Sequence, residues 1–179
     1  MKKNEWKVKF GHNPIPSVYY RDSIELPFFK HYLKDGSDPK LAEATVYETG
    51  INQWRKFDTW PPKNRQLQYL FFQENGKLSF EKPTSVNESF DEFESDPANP
   101  VPFIKDTVKD TPKYYMDDDQ RFAAKRKDVL VYQTDILQEN ITLAGNIIAK
   151  LKVSTTGTDA DWVVKVIDVY PENDNNTLS

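Results

Sequence analysis

Cysteine is absent from all 179 residues, which excludes disulfides, thiolate zinc sites and a cysteine nucleophile. It says nothing about compartment, since proteins of every compartment can lack cysteine. Histidine is nearly absent too, with only His12 and His31. Six glycines stand against twelve prolines, a balance that favours stiff connections and edge strands over long helices. No apolar run approaches the ~20 residues that a membrane helix needs, so no membrane partner is expected. Met1-Lys2-Lys3 is a basic start with no hydrophobic stretch after it, so no signal peptide is expected in this chain. If the parent protein is exported to a periplasm or medium, that address lies elsewhere. Charge of one sign is lacking as well. The 24 Lys+Arg are interspersed with 28 Asp+Glu, leaving a net −4 and no basic stripe to track phosphates, which argues against nucleic acid.

Aromatic residues are plentiful, at 13% against a hydrophobic content of only 37%, so a few bulky side chains must supply much of the core. A domain of this length buries roughly two-thirds or more of its unfolded surface and needs no staple. Residues 1–16 read as an irregular lead-in ending in Asn13-Pro14-Ile15-Pro16. Ile24, Phe28 and Tyr32 then repeat at helical spacing, with Phe29 and Leu33 beside them. Ser23 is the expected N-cap and Gly36 the expected stop, while Pro27 fits only the first turn or a kink. This greasy face must dock on something.

Short strands are expected from about residue 42. They are 44–49, 54–58, 67–72 and 77–80, the last two flanking Asn75-Gly76, a strong hairpin signal. Residues 83–118 read as a long surface excursion with one apolar piece at 101–104. Strands are again expected at 129–132, 147–153 and 162–170. The expected fold class is mainly β, a jelly-roll-like antiparallel sandwich, truncated, preceded by one helix.

Candidate chemistry is thin. No serine sits in a tight small-residue elbow; Ser154 opens Ser-Thr-Thr-Gly-Thr, a strand end running into a turn. His31 lies in the helix and reads as a surface or docking residue, and His12 has no carboxylate near it in sequence. Asp117-Asp118-Asp119 and Glu172-Asn173-Asp174 lack the spacing of a calcium loop. Asp159 and Asp161 fit a turn leading to Trp162. Trp54, Trp60, Tyr114 and Tyr115 could present rings to a sugar, although most aromatics here should be core. The expectation is no catalytic, cofactor-binding or metal-binding residue and no cofactor.

Three segments carry a resemblance. Residues 119–134 resemble a D-Q-R…R-D-V-L-x-Y-x-T segment, residues 154–171 an S-x-x-x-T-D-[AS]-D-[FW]-x-x-K-[LI]-x-D-V-x-P segment, and Asp96-Pro97-Ala98-Asn99-Pro100-Val101-Pro102 a D-P-x-x-P-V-P loop. All three belong to the CocE/NonD family of hydrolases, which groups cocaine esterase, α-amino acid ester hydrolases, glutaryl-cephalosporin acylases and X-Pro dipeptidyl peptidases. Residues 20–34 resemble the closing helix of that family's α/β-hydrolase domain. The resemblance implies that 1–39 are the lead-in and terminal helix of a catalytic domain, and 40–179 a partial C-terminal β-sandwich. It implies a Ser-His-Asp triad elsewhere in the parent, since no position here matches the nucleophile elbow, the Asp or the His motif. The expected partner is the catalytic domain of the same parent. Exposed strand edges also offer a second copy a place to pair. The alternatives from other classes are a free-standing carbohydrate- or calcium-binding sandwich and, last, a small hydrolase built on His12.

Overall fold

A computed structural model describes residues 15–84, 88–110, 115 and 118–170. Their contacts cluster into two units, one from 15–65 with 143–170 and one from 66–142. Each is described separately.

The first unit opens with helix α1 (Pro16–Tyr20), a π-helical turn (Arg21–Glu25) and helix α2 (Leu26–Lys34). The helix therefore begins at Pro16, seven residues before the expected cap. Proline suits a first turn because its missing N–H would be an orphan there, and the Val18 and Tyr19 N–H groups both reach the Ile15 carbonyl at 3.0 Å. Ser23 makes no cap and lies inside the π turn. That turn answers Pro27, which has no N–H to give and would crowd the carbonyl four residues back. The Leu26 N–H reaches Arg21 instead, five residues back. At the other end Asp35 takes a left-handed conformation (φ 50°) and its N–H joins that of Gly36 on the Lys30 carbonyl. A Cβ on Gly36 would lie 2.9 Å from that carbonyl oxygen, so the stop requires glycine.

Strands β1 (Ala44–Glu48) and β2 (Gln53–Phe57) form an antiparallel hairpin with Tyr47 opposite Trp54. Tyr19 stacks on Trp54 at 4.7 Å and Tyr47 meets it edge-on at 5.3 Å, pinning the start of the helix to the hairpin. Glu48 and Arg55 pair diagonally across the ladder at 2.7 Å.

In the second unit β3 (Phe71–Gln73) and β4 (Lys77–Ser79) form another antiparallel hairpin. The expected strand at 67–72 is shorter at its start, and residues 67–70 carry no ladder. Asn75 (φ 60°) and Gly76 (φ 69°) make the turn, as the Asn-Gly pair indicates. Residues 129–132 do not form a full strand: a single parallel bridge joins Lys77 to Gln133, with Leu78 N–H on the Gln133 carbonyl and Gln133 N–H on the Gly76 carbonyl, both 2.9 Å. A short helix α3 (Arg121–Ala124), not foreseen from sequence, lies within the 119–134 motif.

The fold class is mainly β with antiparallel ladders and the helix ahead of them, as expected. Two further expected strands differ. Residues 147–153 and 162–170 carry no ladder among the described residues. Their apolar side chains stay open, from Leu151 at 39% exposed to Val163 at 83%. Ile104 (2% exposed) and Ala123 are the buried apolar side chains of the described core.

Candidate functional site

Two features stand out, one in each unit. The first is the helix face. Tyr20, Ile24, Phe28 and Tyr32 stand four apart and so stack along one stripe, with Phe28 and Tyr32 4.6 Å apart. With Asp38, Lys40, Glu43 and their neighbours they line a groove of about 460 Å³ between the helix and the chain leading to β1. Phe28, Phe29 and Leu33 remain 42%, 48% and 72% exposed. Full burial of such a side chain stabilises by about 1.5–3 kcal/mol, and the part still exposed here leaves roughly half of that to be gained by covering the face. Polar groups fix the groove's wall. The Lys40 N–H donates to Asp38 (2.8 Å), and the Trp60 N–H donates to Glu43 (3.2 Å).

The second feature is a polar node built from the segments that carry the family resemblance. Arg126 donates from Nε and Nη2 to both carboxylate oxygens of Asp128 (2.7 and 2.6 Å), and Nη2 also donates to the Asn99 carbonyl (2.7 Å). That carbonyl is presented by a turn in which Asp96 accepts the N–H groups of Ala98 and Asn99. The Arg126 hydrogen bonds hold the Asp128 carboxyl below its usual range. Asp119 grips Arg121 in the same side-on manner at the start of α3. Tyr132 donates its hydroxyl to Asp91, and burial, followed by that carboxylate, pushes its phenol up to about 12.

Among the described residues, those singled out from sequence fill local structural roles. His31 donates from Nδ1 to the Gly36 carbonyl at 2.9 Å, which makes it part of the helix stop. Ser154 is exposed. Gly157 N–H is capped by Thr155 Oγ1 (3.1 Å), a turn that leads to Asp159 and Asp161, both exposed. Trp54 has one face taken by Tyr19, leaving that face closed to a sugar, and Trp60 leans on Phe57 at 5.4 Å. Tyr115 meets Phe103 edge-on. His12, Tyr114, Asp117 and 172–176 lie outside the described residues. Among the described residues no group of three or more His, Asp or Glu could hold a metal ion, and no helix is long and apolar enough to cross a membrane. Sequence reasoning missed the Arg126–Asn99 and Tyr132–Asp91 contacts, which span 27 and 41 residues. The only advance signal was that Asn99, Arg126, Asp128 and Tyr132 all fall within the motif segments.

Helix face, hairpins and node together describe a β module with an exposed apolar helix face and a paired polar node. Residues 35–179 match the X-Pro dipeptidyl-peptidase C-terminal non-catalytic domain, and this chain belongs to that family, the one to which its CocE/NonD motifs point. It is similar to the cocaine esterase of Rhodococcus sp. (strain MB1 Bresler), 27% identical over 177 residues that cover 92% of this chain and 30% of the esterase. It is also similar to the crystal structure of an aminopeptidase from a marine sediment archaeon (Thaumarchaeota archaeon). The TM-score there is 0.60 at 38% identity, covering 69% of this chain and 21% of that one. The chain thus spans less than a third of the length of either relative.

Proposed function

We propose that this chain is the non-catalytic β module of a serine hydrolase that cleaves esters or amides, including X-Pro dipeptides. It packs its helix face on the α/β-hydrolase domain of the same parent and walls one side of the active-site entrance. On this reading residues 1–39 complete the catalytic domain and 40–179 form the β module, a division supported by the family match beginning at residue 35. The triad resides in the remainder of the parent. The names of the two relatives, an esterase and an aminopeptidase, support the reaction class.

The single observation that carries the reading is surface. Phe29, Tyr32 and Leu33 on the helix are 48%, 66% and 72% exposed, and Ile147, Ile148, Val163 and Val166 are 62–83% exposed. Side chains of this size and apolar character, left open together, mark a face that another protein body covers. The same edges would let a second copy pair when the catalytic domain is missing.

An apolar dye tests the docking face. The double substitution Phe29→Glu and Leu33→Glu is expected to cut binding of anilinonaphthalene sulfonate to the isolated chain severalfold, with the far-ultraviolet circular dichroism unchanged. Both side chains are exposed, so the substitutions remove docking surface and little packing. Undiminished dye binding would remove the helix face from the proposal.

A further inference from the structure

Asn75-Gly76 carries a second chemistry besides its turn. Asn75 is the only asparagine of the chain followed by glycine, and it is exposed. Glycine has no Cβ to shield its own nitrogen, so that nitrogen can attack the neighbouring side-chain amide. In that reaction the Gly76 nitrogen, its proton taken by hydroxide, bonds to Asn75 Cγ. The Cγ–Nδ2 bond breaks, ammonia leaves with a proton from water, and a five-membered imide remains. Water then opens the imide at either carbonyl, giving aspartate or isoaspartate.

The folded turn holds the reacting atoms apart. Ring closure needs the Gly76 nitrogen on the same side of the Asn75 Cα–C bond as Cβ, which for an L-residue means a strongly negative ψ. Asn75 has φ 60° and ψ 36°, which turns that nitrogen nearly opposite Cβ. Flipping the peptide in place would give a type II′ turn, whose first central position calls for glycine. The turn must therefore open, and segment 131–133 stands against that. The Gln133 N–H donates to the Gly76 carbonyl and the Leu78 N–H to the Gln133 carbonyl, both at 2.9 Å. The Val131 carbonyl also backs onto Gly76, where a Cβ would stand 2.9 Å from its oxygen.

We infer that Asn75 is a latent self-modification site, closed while 131–133 clasps the turn and opened when that bridge lets go. Local openings of this kind draw on the weakest contacts of a fold. The change is one-way. Isoaspartate carries the main chain through Cβ and lengthens a two-residue turn by one carbon, so the Phe72–Leu78 and Gln73–Lys77 pairs lose their register. The site thereby records how long the β3–β4 hairpin has stood open.

Long incubation of the full chain in mildly alkaline buffer tests this. The Asn75 peptide is followed by mass spectrometry for the amide-to-acid gain and by isoaspartyl methyltransferase labelling. Native conversion is expected to run roughly tenfold or more below the rate in guanidinium chloride, a factor that two hydrogen bonds supply. Gln133→Pro removes the N–H on the Gly76 carbonyl and is expected to speed native conversion roughly three- to tenfold, the share of one hydrogen bond. Its rate in guanidinium chloride should match wild type, because the two sites are far apart in sequence. Asn75→Gln, which would have to close a larger ring, should leave the peptide unconverted over the same period. Equal wild-type rates in native buffer and in guanidinium chloride would overturn the inference. So would a Gln133→Pro chain that keeps its circular dichroism and converts at the wild-type rate; if that variant fails to fold, the wild-type comparison decides alone.

Discussion

Ile104→Ala is expected to destabilise the chain by about 2–5 kcal/mol, read as a drop in the urea midpoint at unchanged slope. Ile104 is 2% exposed, and with Ala123 it makes up the buried apolar core of the described residues. Truncation to alanine loses the transfer free energy of three carbons and leaves a cavity that a thin core cannot share among many neighbours. Domains have only about 5–15 kcal/mol of net stability to begin with, so the loss is a large fraction of the whole. Val101→Ala, three residues earlier and 41% exposed, is the control and should cost well under half as much. Equal effects at the two positions would mean that Ile104 is no anchor and that the excursion packs differently.

Gly76→Val is expected to cost at least about 2 kcal/mol, through two independent causes. The position has φ +69°, where a β-branched residue is strained. A Cβ there would also stand 2.9 Å from the carbonyl oxygen of Val131, a backbone atom that cannot move without shifting its segment. Segment 131–133 joins β4 through only two hydrogen bonds, one of them to the Gly76 carbonyl itself. Moving it aside breaks the bridge as well as straining the turn. Amide exchange at Leu78 and Gln133 is the readout, since those two N–H groups make the bridge. Full protection of both in Gly76→Val would contradict the placement of 131–133 beside β4.

What the sequence revealed follows how local each cause is. Asn75-Gly76 marked its turn because both residues tolerate positive φ, and nothing distant can change that. The Ala44–Glu48 and Gln53–Phe57 strands were legible from their β-branched and aromatic content, and each came within a residue of its expected bounds. The helix face was legible from its spacing, but its start was misplaced. Ser23 was the expected cap, with Pro27 in the first turn or at a kink; the helix instead starts at Pro16 and passes Pro27 by widening one turn. Residues 147–153 and 162–170 have strand composition, but a ladder is a property of two strands, and composition names only one of them. The polar node was hidden for a related reason. Arg126 with Asp128 is a near-neighbour pair that spacing could suggest, whereas its grip on Asn99 depends on how the chain returns after 27 residues.

The most direct measurement is to treat the purified chain with a fluorophosphonate serine probe while following hydrolysis of a p-nitrophenyl ester. A non-catalytic module gives no labelling and no turnover above buffer. Stoichiometric labelling at a single serine, with matching ester turnover, would mean that the chain builds its own nucleophile, and would contradict the proposed function at its centre.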